Sequence, residues 1–202
     1  GGGSITAAEL RLRVALGRRG ARYTSSDGIA WNQLPAFTQN LLIDYAEGNG
    51  RRVILGTSGF AAVSPDGVVW KTTTFPAPEG TQKLSFGNGV FVAATAFTDS
   101  STARGKLFTS PDGEVWTERY VSNTQSLTTL AFGNGVFATP TSAGILRSTD
   151  GISWALVAGS PTVASNLRFL NGQFVLIDGE GALQVSTDAS TWTARSYGAK
   201  GA

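Results

Sequence analysis

Five near-copies of one heptapeptide that each close on a tryptophan, Asn-Gly pairs set between apolar runs, and a composition rich in glycine but poor in charge predict an all-β protein. The fold class that follows is a five-bladed β-propeller of four-stranded antiparallel blades, about 40 residues to a blade.

The units are justified in chain order. The first, residues 5–36, has a degraded opening hairpin "ITAAELRLRVAL" (5–16), a loop "GRRGAR" (17–22) and the heptapeptide "SSDGIAW" (25–31). The second, 41–76, carries "YAEGNGRRVIL" (45–55), "GTSGFA" (56–61) and "SPDGVVW" (64–70). The third, 82–121, carries "LSFGNGVFVA" (84–93), the long loop "TAFTDSSTARGK" (95–106) and "SPDGEVW" (110–116). The fourth, 127–159, has "LAFGNGVFAT" (130–139), "PTSAGI" (140–145) and "STDGISW" (148–154), and the fifth, 165–197, has "LRFLNGQFVL" (167–176), "IDGEGA" (177–182) and "STDASTW" (186–192). The aspartates Asp27, Asp66, Asp112, Asp150 and Asp188 step by 39, 46, 38 and 38 residues, the long step being the third loop. Each unit reads as strand, Asn-Gly turn, strand, loop, strand, Asp-Gly turn, strand, with positive φ expected at both residues of both turns. A blade cannot bury both faces alone, so each is expected to pack between two neighbours in a single domain over 1–202.

The composition narrows function. Sixteen Lys and Arg against fourteen Asp and Glu leave a net charge of +2, too small to imply a nucleic-acid partner. No apolar run approaches the roughly 20 residues that span a bilayer, so membrane insertion is not expected. Without Cys or His there is no ordinary zinc site and no Ser-His-Asp or Cys-His catalytic group, and no cofactor is implied. The absence of Met points to a piece of a longer chain or a processed one, and the opening "GGGS" reads as a linker.

The heptapeptides resemble the Asp box, or BNR repeat, of sialidases and other propellers, whose usual pattern is Ser-x-Asp-x-Gly-x-Thr-Trp. Here Asp to Trp is one residue shorter, and glycine directly follows Asp in four of the five copies. The wider pattern, "GNGxFVA" followed by "SxDGxxW", resembles repeats of phage tail and virion-associated proteins and covers nearly the whole chain. The resemblance implies a structural heptapeptide remote from any active site and a virion or extracellular location. Turn chemistry agrees: Asp27, Asp66, Asp112, Asp150 and Asp188 are expected to accept backbone N–H bonds, and Trp31, Trp70, Trp116, Trp154 and Trp192 to pack across the hairpin.

Strands of a blade alternate in direction, so the Asn-Gly and Asp-Gly turns share one face and the second-to-third loops and blade linkers share the other. Loops on a rigid scaffold carry function. On that variable face Arg18, Arg19, Phe97, Asp99, Arg104, Asp178 and Glu180 are the candidate ligand-binding residues, for a glycan or a protein surface. A closed ring would bring Arg18 and Arg19 beside Asp178 and Glu180, where they form either a salt bridge or one end of a polar groove.

The Asn-Gly register pairs Phe86 with Phe91, Phe132 with Phe137, and Phe169 with Phe174. The second unit has Glu47 and Arg52 in those places, and the first has Ala8 and Arg13. Charges there cannot be buried as the phenylalanines are, so Arg13, Glu47 and Arg52 are candidates for a contact with another protein segment. Three functions remain open: a non-catalytic attachment module, an architectural module contacting neighbouring chains of a larger assembly, and a glycosidase or sialidase-like enzyme using carboxylates such as Asp44, Asp99, Asp178 or Glu180. Catalytic residues are not assigned, and the reading favoured is the non-catalytic one.

Overall fold

The computed structural model describes residues 13–78, 80–99, 101–162 and 165–195. Its contacts divide the chain into two compact units, Gly1–Leu42 and Ile43–Ala202. Residues 5–12 of the degraded first hairpin, with Ala8 and Arg11, lie outside the described residues.

Five antiparallel sheets follow one another in sequence order. The first has three described strands, β1 (Arg13–Leu16), β2 (Arg22–Ser25) and β3 (Asn32–Leu34). The second has β4 (Leu42–Gly48), β5 (Arg51–Gly56), β6 (Phe60–Ser64) and β7 (Lys71–Thr74). The third has β8 (Thr81–Gly87), β9 (Val90–Thr95), β10 (Phe97–Asp99), β11 (Thr102–Ser110) and β12 (Thr117–Ser122). The fourth has β13 (Ala131–Gly133), β14 (Val136–Thr141), β15 (Gly144–Ser148) and β16 (Ala155–Leu156), and the fifth β17 (Ser165–Leu170), β18 (Gln173–Ile177), β19 (Leu183–Ser186) and β20 (Thr193–Arg195). Each sheet runs in chain order except the third, where β9 pairs with β11 and the added residues of the long loop form β10 against the start of β11.

The core of the second unit lies between sheets. Side chains alternate along a strand, so a strand inside the stack sends odd and even residues to different neighbours. In β9, Phe91 and Ala93 join Val53, Leu55 and Val63 of the second sheet and Phe75 just after it, while Val92 and Ala94 join Phe137 and Leu146 of the fourth. Beyond that, Ala138 and Ile145 pack with Leu167, Phe174 and Leu176 of the fifth. Near-continuous apolar runs such as "VFVAA" are the sequence trace of a sheet covered on both faces.

The Asn-Gly turns form as expected, with Asn49, Asn88, Asn134 and Asn171 at φ +46° to +49° and the following glycines also positive. They set the predicted register: Phe86 opposite Phe91, Phe132 opposite Phe137, Phe169 opposite Phe174, with ring centroids 4.5–4.9 Å apart.

The Asp-Gly turns differ from expectation. Only the residue after Asp has positive φ (Gly28, Gly67, Gly113, Gly151 and, in the fifth copy, Ala189), and no Asp does. The reason is the loop's own bonding. In all five copies the Ser hydroxyl donates to Asp Oδ1 at 2.9–3.0 Å. The same oxygen accepts the N–H groups two and three residues on, at 2.7–3.1 Å. The Trp indole N–H then closes the loop on the carbonyl three residues back. An Asp that caps the N–H groups two and three residues on keeps a negative φ, so this is a side-chain-capped loop and not a two-residue hairpin.

Candidate functional site

The heptapeptide loops are chemically occupied. All five carboxylates are held below the usual carboxylate range: at Asp66 by the N–H groups of Val68 and Val69 and then the Ser64 hydroxyl, at Asp188 by the Ser190 hydroxyl first. At Asp112 burial pushes upward and the N–H groups of Glu114 and Val115 outweigh it. An acceptor already bonded to several donors is a clamp, and those donors stabilise the ionised form of each aspartate.

Two kinds of link tie neighbouring sheets of the second unit together. Asn49 donates from Nδ2 to the carbonyls of Gly89 (2.8 Å) and Pro111 (3.0 Å). Asn88 reaches Gly135 (2.8 Å) and Thr149 (2.6 Å), and Asn134 reaches Gly172 (3.0 Å) and Thr187 (2.9 Å). Each Asn therefore binds both turns of the next sheet. Alongside, a Cβ on Gly48, Gly87 or Gly133 would lie 2.1–2.3 Å from the ring of Phe86, Phe132 or Phe169, so bare backbone of one sheet lies flat against an aromatic ring of the next. In the fifth sheet the glycine of this series is Leu170, 56% exposed, and Asn171 makes no side-chain hydrogen bond among the described residues.

Glu47 and Arg52 form an ion pair, with Arg52 Nε 2.9 Å from Glu47 Oε1, the Arg52 side chain 28% exposed and that of Glu47 37%. Arg52 also donates to the Pro65 carbonyl (3.0 Å), and the Tyr45 hydroxyl donates to Glu47. Burial first, and the bond to Glu47 second, push the Tyr45 phenol up. In the first unit Arg13 donates to the Asp27 carbonyl in the same manner. Both arginines thus close on their own heptapeptide. Their charges have partners inside the sheet. Arg22, another of the N-terminal arginines, is buried with its guanidinium 4.0 Å from the Phe37 ring centre and 2.9 Å from the Pro35 carbonyl.

The loops at the other ends of the strands are varied. Gly17–Ala21 and Gly56–Phe60 share a tight turn, closed by the Ala21 and Phe60 N–H groups on the Arg18 and Thr57 carbonyls, with Arg19 and Ser58 at positive φ and Arg18, Arg19 and Ser58 exposed. Glycine is required at the end of both turns, because a Cβ on Gly20 would lie 2.4 Å from the Thr38 carbonyl and one on Gly59 2.9 Å from that of Phe75. The third loop is the β10–β11 extension, in which Phe97 sits opposite Arg104 and Asp99 opposite Thr102. The fourth is a tight turn at Ser142–Ala143, held by the Thr141 hydroxyl.

The fifth loop borders an open depression of about 430 Å³ lined by Ser160, Pro161, Thr162, Asp178, Gly179 and Glu180. Ser160 is buried and fixes one wall, accepting the Ile145 N–H (2.8 Å) and donating to the Val157 carbonyl (2.7 Å). Asp178 fixes the other: it accepts from Gln184 Nε2 (2.9 Å) and from the N–H groups of Ala182 (2.8 Å) and Glu180 (3.1 Å), which hold its carboxyl below the usual range, Gln184 foremost. Glu180 is left exposed at the mouth. The structure thus places Asp178 and Glu180 together, with Asp178 holding the loop and Glu180 facing solvent. Arg18 and Arg19 belong to the first unit. Asp44, a carboxylate considered for glycoside chemistry, instead binds the Leu84 N–H (3.0 Å) and lies 3.7 Å from Lys83 Nζ, bracing the second sheet against the third. Sequence reasoning missed Ser160, Pro161 and Thr162, although blade linkers were expected on this face. Among the described residues no cluster of three or more acidic side chains is placed to hold a metal ion.

No protein-family model matches the sequence, and no curated protein does. Solved structures resemble the fold. The chain is similar to YCF48 bound to D1 peptide (TM-score 0.66, 13% identity, 92% of this chain and 63% of that one). It is also similar to the WD40 beta propeller domain of Doa1 (TM-score 0.60, 16% identity, 91% and 63%). A third likeness is to the Niastella koreensis GH74 enzyme (TM-score 0.61, 19% identity, 90% and 30%). The chain therefore has a β-propeller fold and spans less than two thirds of each of these three chains.

Proposed function

We propose that the chain is a non-catalytic, five-bladed propeller module of a phage or viral tail-type or secreted protein, and that its variable loops bind a glycan or a protein segment outside the cell or on a virion. The observation that carries this reading is the contrast between two sets of loops. The heptapeptide loops repeat a single self-satisfied arrangement, while the loops at the other ends of the strands differ and, within Ile43–Ala202, border the depression between Ser160–Thr162 and Asp178–Glu180. Depressions with a rigid wall and a few convergent polar groups are where small ligands and short segments bind. A propeller neighbour holding a D1 peptide supports a peptide or protein as one ligand class. The heptapeptide aspartates and Asp44 are engaged in structure, which favours binding over catalysis.

The test is a glycan array and a peptide array probed with the intact protein, followed by Glu180→Ala and Thr162→Ala. Binding that falls by tenfold or more (about 1.4 kcal/mol) in those variants, at unchanged melting temperature, supports the reading. Silence on both arrays, or binding indifferent to both substitutions, overturns it. A second reading, an assembly module, is favoured by the apolar tips of the heptapeptides, where Val68, Val69, Val115 and Ile152 of the second unit are exposed, Val68 at 79%. Concentration-dependent sedimentation abolished by Val68→Ser with Val69→Ser is its signature.

A further inference from the structure

Asn-Gly is a chemically labile pair. The glycine nitrogen, with no neighbouring Cβ to obstruct it, can attack the Asn side-chain carbon, and the chain carries the pair four times, at 49–50, 88–89, 134–135 and 171–172. The four turns are alike in backbone: each Asn sits at φ +46° to +49°, each glycine at φ +66° to +81°. They are alike in access too, since every one of the eight residues is exposed and nothing lies within 4 Å of a Cβ position on any of the four glycines.

They differ in the side-chain amide. Asn49, Asn88 and Asn134 each hold Nδ2 against two carbonyls of the next sheet at 2.6–3.0 Å. Both bonds must break before the amide can swing over its own glycine nitrogen, and nitrogen held as a double donor is a poor leaving group. Asn171 makes no side-chain hydrogen bond among the described residues, and the neighbouring Leu170 is exposed where the other turns have a glycine covered by an aromatic ring.

We propose that Asn171–Gly172 is a site of spontaneous covalent modification in the folded protein, passing through a succinimide to isoaspartate and aspartate, while the other three Asn-Gly pairs are protected by their place in the inter-sheet links. The bond from Gly172 N to Asn171 Cγ forms, the bond from Cγ to Nδ2 breaks, and Nδ2 leaves as ammonia with the proton lost by Gly172 N. One water then opens the ring, at Cγ to give aspartate or at the main-chain carbonyl to give isoaspartate. The net change is amide plus water to carboxylate plus ammonium, with no oxidant or reductant. It adds one negative charge at the tip of the last Asn-Gly turn.

The test is to age the intact folded protein at mildly alkaline pH and follow each Asn-Gly peptide by mass, with an isoaspartyl methyltransferase as the probe for the β-linked product. Modification at Asn171 is expected to run at least about tenfold faster than at Asn49, Asn88 or Asn134, since each of those must first give up two hydrogen bonds. In denaturant the four rates converge, and Asn171→Gln removes the fast product. Four folded-state rates within about a factor of three of one another overturn the proposal. So does a tenfold lead at Asn171 that persists in denaturant, because flanking sequence would then set the order.

Discussion

The inter-sheet amide link carries its own control, because the same turn occurs once without it. Asn88→Gly keeps a residue that accepts φ +46° and deletes two N–H···O bonds, to Gly135 at 2.8 Å and Thr149 at 2.6 Å. Asn171→Gly makes the same backbone change at φ +49° and deletes none described. A neutral hydrogen bond contributes roughly 0.5–1.5 kcal/mol net, and the tip is open to water, so the pair should contribute about 1–2 kcal/mol. The entropic effect of adding a glycine, about 0.5–1 kcal/mol, is common to both variants and cancels in their difference. Equilibrium urea unfolding should therefore place Asn88→Gly about 1–2 kcal/mol below Asn171→Gly at unchanged m-value. Equal losses would refute the view that these amides join the sheets, and a changed m-value would show that the comparison is no longer two-state.

Gly87→Ala would drive a methyl into the Phe132 ring, 2.3 Å away, and should lower stability by about 1–3 kcal/mol in the same assay, while Leu170→Gly at the equivalent place of the fifth sheet costs less than about 1 kcal/mol. Gly113→Ala combines a left-handed φ of +78° with a Cβ only 2.3 Å from Val53, so a loss of about 2–4 kcal/mol is expected by thermal or urea unfolding, even though the fifth copy tolerates Ala189. A double-mutant cycle on Glu47 and Arg52 should return a coupling of about 0.2–1 kcal/mol, weakening with salt, because the pair is partly exposed. The five heptapeptide carboxyls have lowered folded pKa values, so their stabilisation is complete above the unfolded value near 3.9 and is lost as pH falls through the lower folded values. Urea midpoints should accordingly drop from about pH 4 downward, less steeply in Asp66→Asn.

Local patterning made the fold readable. Two turn signals at a fixed spacing predict sheets of the kind observed, and counting outward from Asn-Gly predicts which phenylalanines oppose each other and that Glu47 meets Arg52. What the sequence concealed lies at longer range or in side-chain direction. "NG" announces a turn, but not that Asn49 reaches carbonyls 40 and 62 residues away. "DG" suggests positive φ at both residues, whereas the Asp side chain reorganises the loop around itself. Arg13 and Arg52 invite a partner when read as charges, and only their geometry shows them closing on the Asp27 and Pro65 carbonyls. Asp178 reads as a ligand group, and only the structure shows that Gln184 and its own loop also bond to it. The Ser160–Thr162 wall of the depression carries no motif at all, being positioned by the sheets on either side.

The links between sheets of the second unit all point one way along the chain. An amide on one sheet meets carbonyls on the next, and bare glycine on one meets a phenylalanine on the next, so the two sides of every joint are different surfaces. Such a joint is heterologous, and the angle at each joint decides whether repeated copies close or keep growing. The third and fourth sheets each carry one plug and one socket. A variant with an interior unit duplicated or excised should keep every remaining joint chemically intact and change only the number of repeats.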